Sequence, residues 1–197
     1  MAPDAGLSQR IVIVRHGETA WSRAGRHTGR TDIPLEPGGR EQARGLATML
    51  AGHNFAAVLV SPLERAVETC RIAGFGDVAI VDPDLVEWDY GAYEGLTSAE
   101  IREQRPGWVL FRDGTSGGET LDEVATRAAR VIERTRGISG DVLIFGHGHQ
   151  LRILTALWLE LPPAAGQRLE LRSAAPSTLG WEHDWTALLG WNGSGVS

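Results

Sequence analysis

The chain has 197 residues, which on a scale of roughly 100–200 residues per domain implies one compact unit over residues 1–197; its 42% hydrophobic and 22% charged residues exclude disorder, a collagen-like fibre and a coiled coil. A single cysteine, Cys70, rules out an internal disulfide and fits a reducing compartment, so a cytoplasmic location is expected. The formal charge of −6, from 19 basic against 25 acidic side chains, argues against a broad nucleic-acid-binding surface, and no signal-peptide core or run of roughly eighteen apolar residues points to export or to a membrane.

In chain order, Ile11-Val12-Ile13-Val14 is an unbroken β-branched run, the mark of a strand buried on both faces. It stops at Arg15-His16-Gly17-Glu18. Ala43, Leu46, Ala47 and Leu50 recur at helical spacing behind Pro37-Gly38-Gly39, predicting a surface helix over Arg40 to Ala51. Ala57-Val58-Leu59-Val60 repeats the strand signature, and Ser61-Pro62 opens a helix over Glu64 to Ala73. Val78 to Val81 offers a third strand, Leu121 to Arg136 an amphipathic helix, and Asp141 to Phe145 another buried strand running into Gly146-His147-Gly148-His149. A helix is predicted from Gln150 to Leu159. Two alternating stretches flanking His183-Asp184-Trp185 read as hairpin arms. Between Glu87 and Gly118 the pattern is aperiodic and rich in Gly, Trp and Tyr, as in an excursion that covers one rim of a sheet.

Strands alternating with helices predict an α/β fold in three layers: a mainly parallel sheet, helices on both faces, and an antiparallel edge. In such sheets ligands bind beyond the carboxyl ends of the strands. Two strands deliver histidines there, His16 after the first and His147 after a late one, while Arg15 and Arg65 are placed near the same rim. Guanidinium groups and a helix N-terminus around paired histidines suit a phosphate dianion. All nineteen basic residues are arginine, so lysine Schiff-base chemistry is excluded and any anion site must use guanidinium groups. Taken alone, each of these side chains is equally at home in an ion pair. Together, polar groups ending two apolar strands point to a site.

Val14-Arg15-His16-Gly17-Glu18-Thr19 resembles the signature of the histidine phosphatase, or phosphoglycerate-mutase-like, superfamily. Ser61-Pro62 with Arg65, Glu87-Trp88-Asp89-Tyr90-Gly91 with Glu94-Gly95, and Gly146-His147-Gly148 resemble its later motifs in the same order, and the likeness spans Ile11 to about Leu159. The resemblance implies that His16 attacks phosphorus and forms a phosphohistidine that water hydrolyses. It also implies that Arg15, Arg65 and His147 balance phosphoryl charge, and that Glu87 protonates the leaving oxygen, with Asp89 as its rival. Glu18 is expected to orient rather than protonate. Ser22, Thr28, Gly29, Tyr90, Gly148 and His149 are implied at the substrate mouth, with Ser22 standing where many relatives carry asparagine. Trp21, Trp88 and Trp108 are further candidates for its walls. No metal and no cofactor is implied: the chain has no Cys–His cluster, Walker loop or dinucleotide fingerprint.

The excursion after Glu87 is short, with only Arg102, Arg105 and Arg112 isolated along it, so hydrolysis is favoured over mutase transfer. The motifs look most like a branch with actinobacterial acid phosphatases and fungal sedoheptulose-1,7-bisphosphatase, which implies a small phosphorylated, sugar-like substrate and neither a nucleic-acid nor a membrane partner. A mutase, a non-catalytic phospholigand-binding protein and a metal-dependent hydrolase remain the alternatives. Oligomeric state, a homodimer included, is left open.

Overall fold

The unbroken apolar runs are explained by what covers them. The computed structural model describes residues 9–193, so most of the polar lead, in which no signal-peptide core is expected, lies outside the described residues. In chain order the elements are β1 (Ile11–Arg15), α1 (Ala20–Arg23), α2 (Pro37–Met49), β2 (Ala57–Val60), α3 (Glu64–Ile72), β3 (Ala79–Val81), α4 (Ser98–Gln104) and α5 (Leu110–Asp113). Then come α6 (Leu121–Arg136), β4 (Val142–Gly146), α7 (Gly148–Trp158), β5 (Ser177–Glu182) and β6 (Trp185–Gly190). The strands form one sheet in the order β3-β2-β4-β1-β5-β6. The β3–β2, β2–β4 and β4–β1 pairs are parallel, whereas β5 and β6 add antiparallel.

Side chains on a strand alternate between faces. Ile11, Ile13, Val142 and Ile144 therefore share one side with Val124, Val131, Leu151 and Leu154 of α6 and α7. Val12, Val14, Val58, Val60, Leu143 and Phe145 share the other with Leu46 and Leu50 at α2 and Ala66 and Cys70 of α3. Both faces are thus buried, and the three-layer α/β expectation is met.

Boundaries differ from the sequence pattern in two informative places. Helix α2 starts at Pro37, which occupies the first turn where its missing N–H costs nothing, rather than at Arg40. Helix α7 starts at Gly148 rather than Gln150, with His147 as its N-cap in extended conformation; two residues assigned to a rim loop are helical instead. The tail is the expected hairpin, with Glu182 paired to Trp185 across His183-Asp184. His183 takes a φ of 54°, as a tight turn of primed type requires. The aperiodic excursion contains α4, opened by a Thr97–Glu100 capping box, and the single turn α5. Among the described residues no helix is long and apolar enough to cross a membrane.

Candidate active site

Register brings the histidines together. Strands β1 and β4 run parallel with Arg15 opposite Gly146, so the next residues of each, His16 and His147, leave the sheet side by side. Their ring centroids are 5.2 Å apart. Strand β2 pairs with the other edge of β4, Val60 opposite Phe145, and delivers Ser61, whose Oγ lies 2.7 Å from His147 Nε2.

His16 is buried, and its Nδ1 lies 2.7 Å from the Gly17 carbonyl oxygen. A carbonyl only accepts, so Nδ1 carries the proton and Nε2 presents a lone pair. Burial, reinforced by the neighbouring Arg15 and Arg65 charges, holds the imidazole pKa well below its ordinary 6.5. The ring is neutral and nucleophilic. Gly17 permits this geometry because a Cβ there would stand 2.4 Å from the Gly39 carbonyl oxygen. The carbonyl that fixes the tautomer thus belongs to the backbone, and Glu18 takes no part in that bond.

His147 is fully buried and likewise held well below 6.5, first by burial and then by Arg65, His16 and Arg15. The Ser61 hydroxyl, which also accepts weakly from the Leu63 N–H, shares the single hydrogen bond that the His147 ring makes among the described residues, at Nε2. Among the described residues the His147 Nδ1 is buried with no partner, as are Arg15 Nε and Arg65 Nε. Buried polar nitrogens without partners, two of them guanidinium donors, are costly unless a bound anion satisfies them.

Arg65 is completely buried on the first turn of α3. Its terminal nitrogens donate to the carbonyls of Thr28, Gly29 and Thr31, so it braces the 28–31 loop, and Nε is its one nitrogen without a partner among the described residues. Arg15 donates one terminal nitrogen to the Leu171 carbonyl. Arg15 and His16 line the cavity; Arg65 and His147 are fully buried and do not.

Glu87 is carried to the N-terminus of α7. Its Oε1 accepts from the Trp88 and Gln150 N–H groups and its Oε2 from the His149 N–H. Oε1 is saturated, so Oε2 is the oxygen with capacity to spare, and Glu87 lines the cavity. The segment is pinned from below: Arg127 donates to the Asp84 and Val86 carbonyls and pairs with Glu119, which holds the Asp89 N–H. Asp89 turns away, accepting from the Gly91 N–H, and does not line the cavity.

The cavity holds about 250 Å³, room for one small molecule rather than a polymer segment. Of the residues expected at its mouth, Ser22, Thr28, Tyr90, Gly148 and His149 line it, and Gly29 does not. Gly29 is instead a point of close packing, where a Cβ would meet the Trp88 carbonyl oxygen and Glu94 at 2.6 Å. The Ser22 hydroxyl is engaged in the capping box of α1. Trp108 lines the cavity, whereas Trp21 and Trp88 do not; Trp88 is buried with its indole N–H on the Glu119 carbonyl. Arg26, His27, Ser98, Arg102 and Arg152 also line it without having been signalled. The i,i+4 pairs Ser98/Arg102 and Gly148/Arg152 show the only sequence clue, and the second depends on where α7 begins.

Residues 11–194 match the family model of the histidine phosphatase superfamily (branch 1). The chain is 41% identical over 181 residues to an acid phosphatase of Mycobacterium tuberculosis, covering 89% of this chain and 88% of that protein. It is 35% identical over 188 residues to a sedoheptulose 1,7-bisphosphatase of Saccharomyces cerevisiae, covering 79% and 69%. A solved structure of the Mycobacterium tuberculosis open reading frame Rv3214 superposes with a TM-score of 0.87 at 37% identity, over 93% of this chain and 97% of that one. With its sheet, its paired rim histidines and these relatives, the chain belongs to the histidine phosphatase superfamily, branch 1.

Proposed function

We propose that this protein is a phosphomonoesterase that works through a phosphohistidine on His16 and acts on small phosphorylated, sugar-like substrates. The observation that carries it is the juxtaposition of a neutral His16 with three buried nitrogens that have no partner among the described residues, Arg15 Nε, Arg65 Nε and His147 Nδ1. Names of the relatives, an acid phosphatase and a sedoheptulose bisphosphatase, support the substrate class.

In the first step His16 Nε2 attacks phosphorus and the P–O bond to the alcohol breaks. The departing oxygen takes a proton from Glu87 Oε2. In the second step Glu87, now a carboxylate, removes a proton from water as it attacks the phosphohistidine, releasing phosphate and restoring the imidazole. Arg15, Arg65 and His147 offset charge on the equatorial oxygens throughout. Asp89, turned from the cavity, is the weaker candidate for the acid. A free, buried Cys70 supports a reducing compartment, the cytoplasm.

Hydrolysis of p-nitrophenyl phosphate in excess chelator tests the scheme, since its positive charge comes from arginine. Full activity is expected; abolition by chelator with recovery on adding a divalent ion would mean another mechanism.

A pH profile gives a second test. His16 must be unprotonated to attack, and its pKa lies well below 6.5. As pH falls through 6.5 an ordinary histidine would be lost, but here kcat, read at saturating substrate so that ionisation of the free ester does not enter, holds and declines only when pH reaches the lowered value. An acid limb of kcat centred near the ordinary 6.5 would show that the nucleophile is not this buried ring.

A further inference from the structure

His27 and His149 have no part in the phosphate chemistry, yet both line the cavity. Their rings stack, with centroids 6.2 Å apart and planes 8° from parallel. His27 Nδ1 is 2.8 Å from the Leu96 carbonyl oxygen, which only accepts, so its Nε2 presents a lone pair. His149 Nδ1 is 2.6 Å from the Tyr90 hydroxyl oxygen. Burial keeps that phenol protonated by raising its pKa well above 10. Its hydrogen has no other acceptor among the described residues, so it goes to Nδ1 and the His149 proton sits on Nε2. Burial disfavours the charged form of both rings; for His149 the nearby Arg152, His27 and Arg15 act in the same direction.

The pair therefore offers one acceptor and one donor. A carboxylate or second phosphate has no hydrogen for the lone pair of His27, its charge being matched instead by Arg26, Arg102 and Arg152 of the same lining, and an ammonium cannot accept from the N–H of His149. A hydroxyl both donates and accepts, and so satisfies either position. The His149 backbone N–H holds Glu87 Oε2, and both residues line the cavity, which assigns His149 to the side of the leaving alcohol.

We propose that His27 and His149 are specificity-determining residues that read hydroxyl groups on the alcohol portion of the substrate, His27 Nε2 accepting from one and His149 Nε2–H donating to one. Tyr90 is the positioning residue that sets the His149 tautomer. The preferred substrates are then phosphate esters of polyols. The assignment rests on the phosphatase reading, which supplies the reaction that reports it.

The test compares kcat/KM for glycerol 1-phosphate and n-propyl phosphate, esters of equal carbon number. Wild type is expected to favour the glycerol ester by roughly 10–100-fold, since the propyl ester leaves buried polar groups unpaired. His27→Phe keeps the stack, and Leu96 keeps a donor in the backbone N–H of residue 27; His27→Phe and His149→Phe should each cut the preference at least about fivefold. Tyr90→Phe should also lower the preference, whereas a purely structural tyrosine would slow both esters equally. A wild-type preference near unity, or one that His27→Phe leaves intact, overturns the proposal even if His149→Phe fails to fold. Absence of turnover on both esters and on p-nitrophenyl phosphate overturns the phosphatase reading itself, and this assignment with it.

Discussion

His16→Ala is expected to lower kcat/KM by roughly 10⁴-fold or more on every phosphate ester, because loss of a covalent nucleophile removes the pathway rather than tuning it. The fold should survive. Among the described residues the only hydrogen bond of the His16 side chain runs to the carbonyl of its own neighbour, Gly17, so no distant described element loses a hydrogen-bond partner when the ring is removed. Inorganic phosphate should still bind, through Arg15, Arg65 and His147, and inhibition by phosphate of a variant with residual turnover, or its binding by calorimetry, reads this directly. A melting temperature near wild type with abolished turnover is the expected pair of results. Turnover within tenfold of wild type would remove His16 from the nucleophile role.

Glu87→Gln is the second large effect, and its size is expected to depend on the leaving group. A sugar alkoxide of high pKa leaves slowly without a proton, and a positioned general acid typically contributes about 10²–10⁴-fold. A nitrophenolate needs little help. The substitution should therefore slow sugar phosphates by about that factor and p-nitrophenyl phosphate far less. The amide can still accept the Trp88 and Gln150 N–H bonds through its oxygen, and it loses the bond from the His149 N–H that Glu87 Oε2 accepts. That loss weakens the site by on the order of 1 kcal/mol, and it acts on both ester classes alike. Equal slowing of the two classes would mean that Glu87 only positions the start of α7, and Asp89 would be the next side chain to test.

The sheet was legible because its cause is local. Ile11 to Val14 and Val142 to Phe145 read as doubly buried strands in the sequence, and both their faces are buried. The meeting of His16 and His147 was legible for the same reason: each ends such a strand, and parallel register places them together. What a side chain does with its remaining valence was not legible. The sequence places Arg65 near the rim but cannot reveal that three loop carbonyls engage its terminal nitrogens. It places Gly29 at the mouth, but packing against Trp88 and Glu94, set by the folded excursion, moves it into the wall. His27 and Arg152 reach the cavity only through the docking of the excursion and the true start of α7, both tertiary facts. Of the isolated arginines of the excursion Arg102 alone lines the cavity; Arg26 and Arg152 come from elsewhere in the chain.

The claim on which the rest depends is that phosphorus is bonded for a time to His16 Nε2. Rapid acid-free quenching of the enzyme during turnover of a ³²P-labelled ester, followed by peptide mapping, measures it. Label that is stable to alkali, labile to acid, confined to the peptide carrying His16 and absent from His16→Ala is the predicted result. Label on another residue, or no protein-bound label at any quench time while phosphate is released at the full rate, would contradict it.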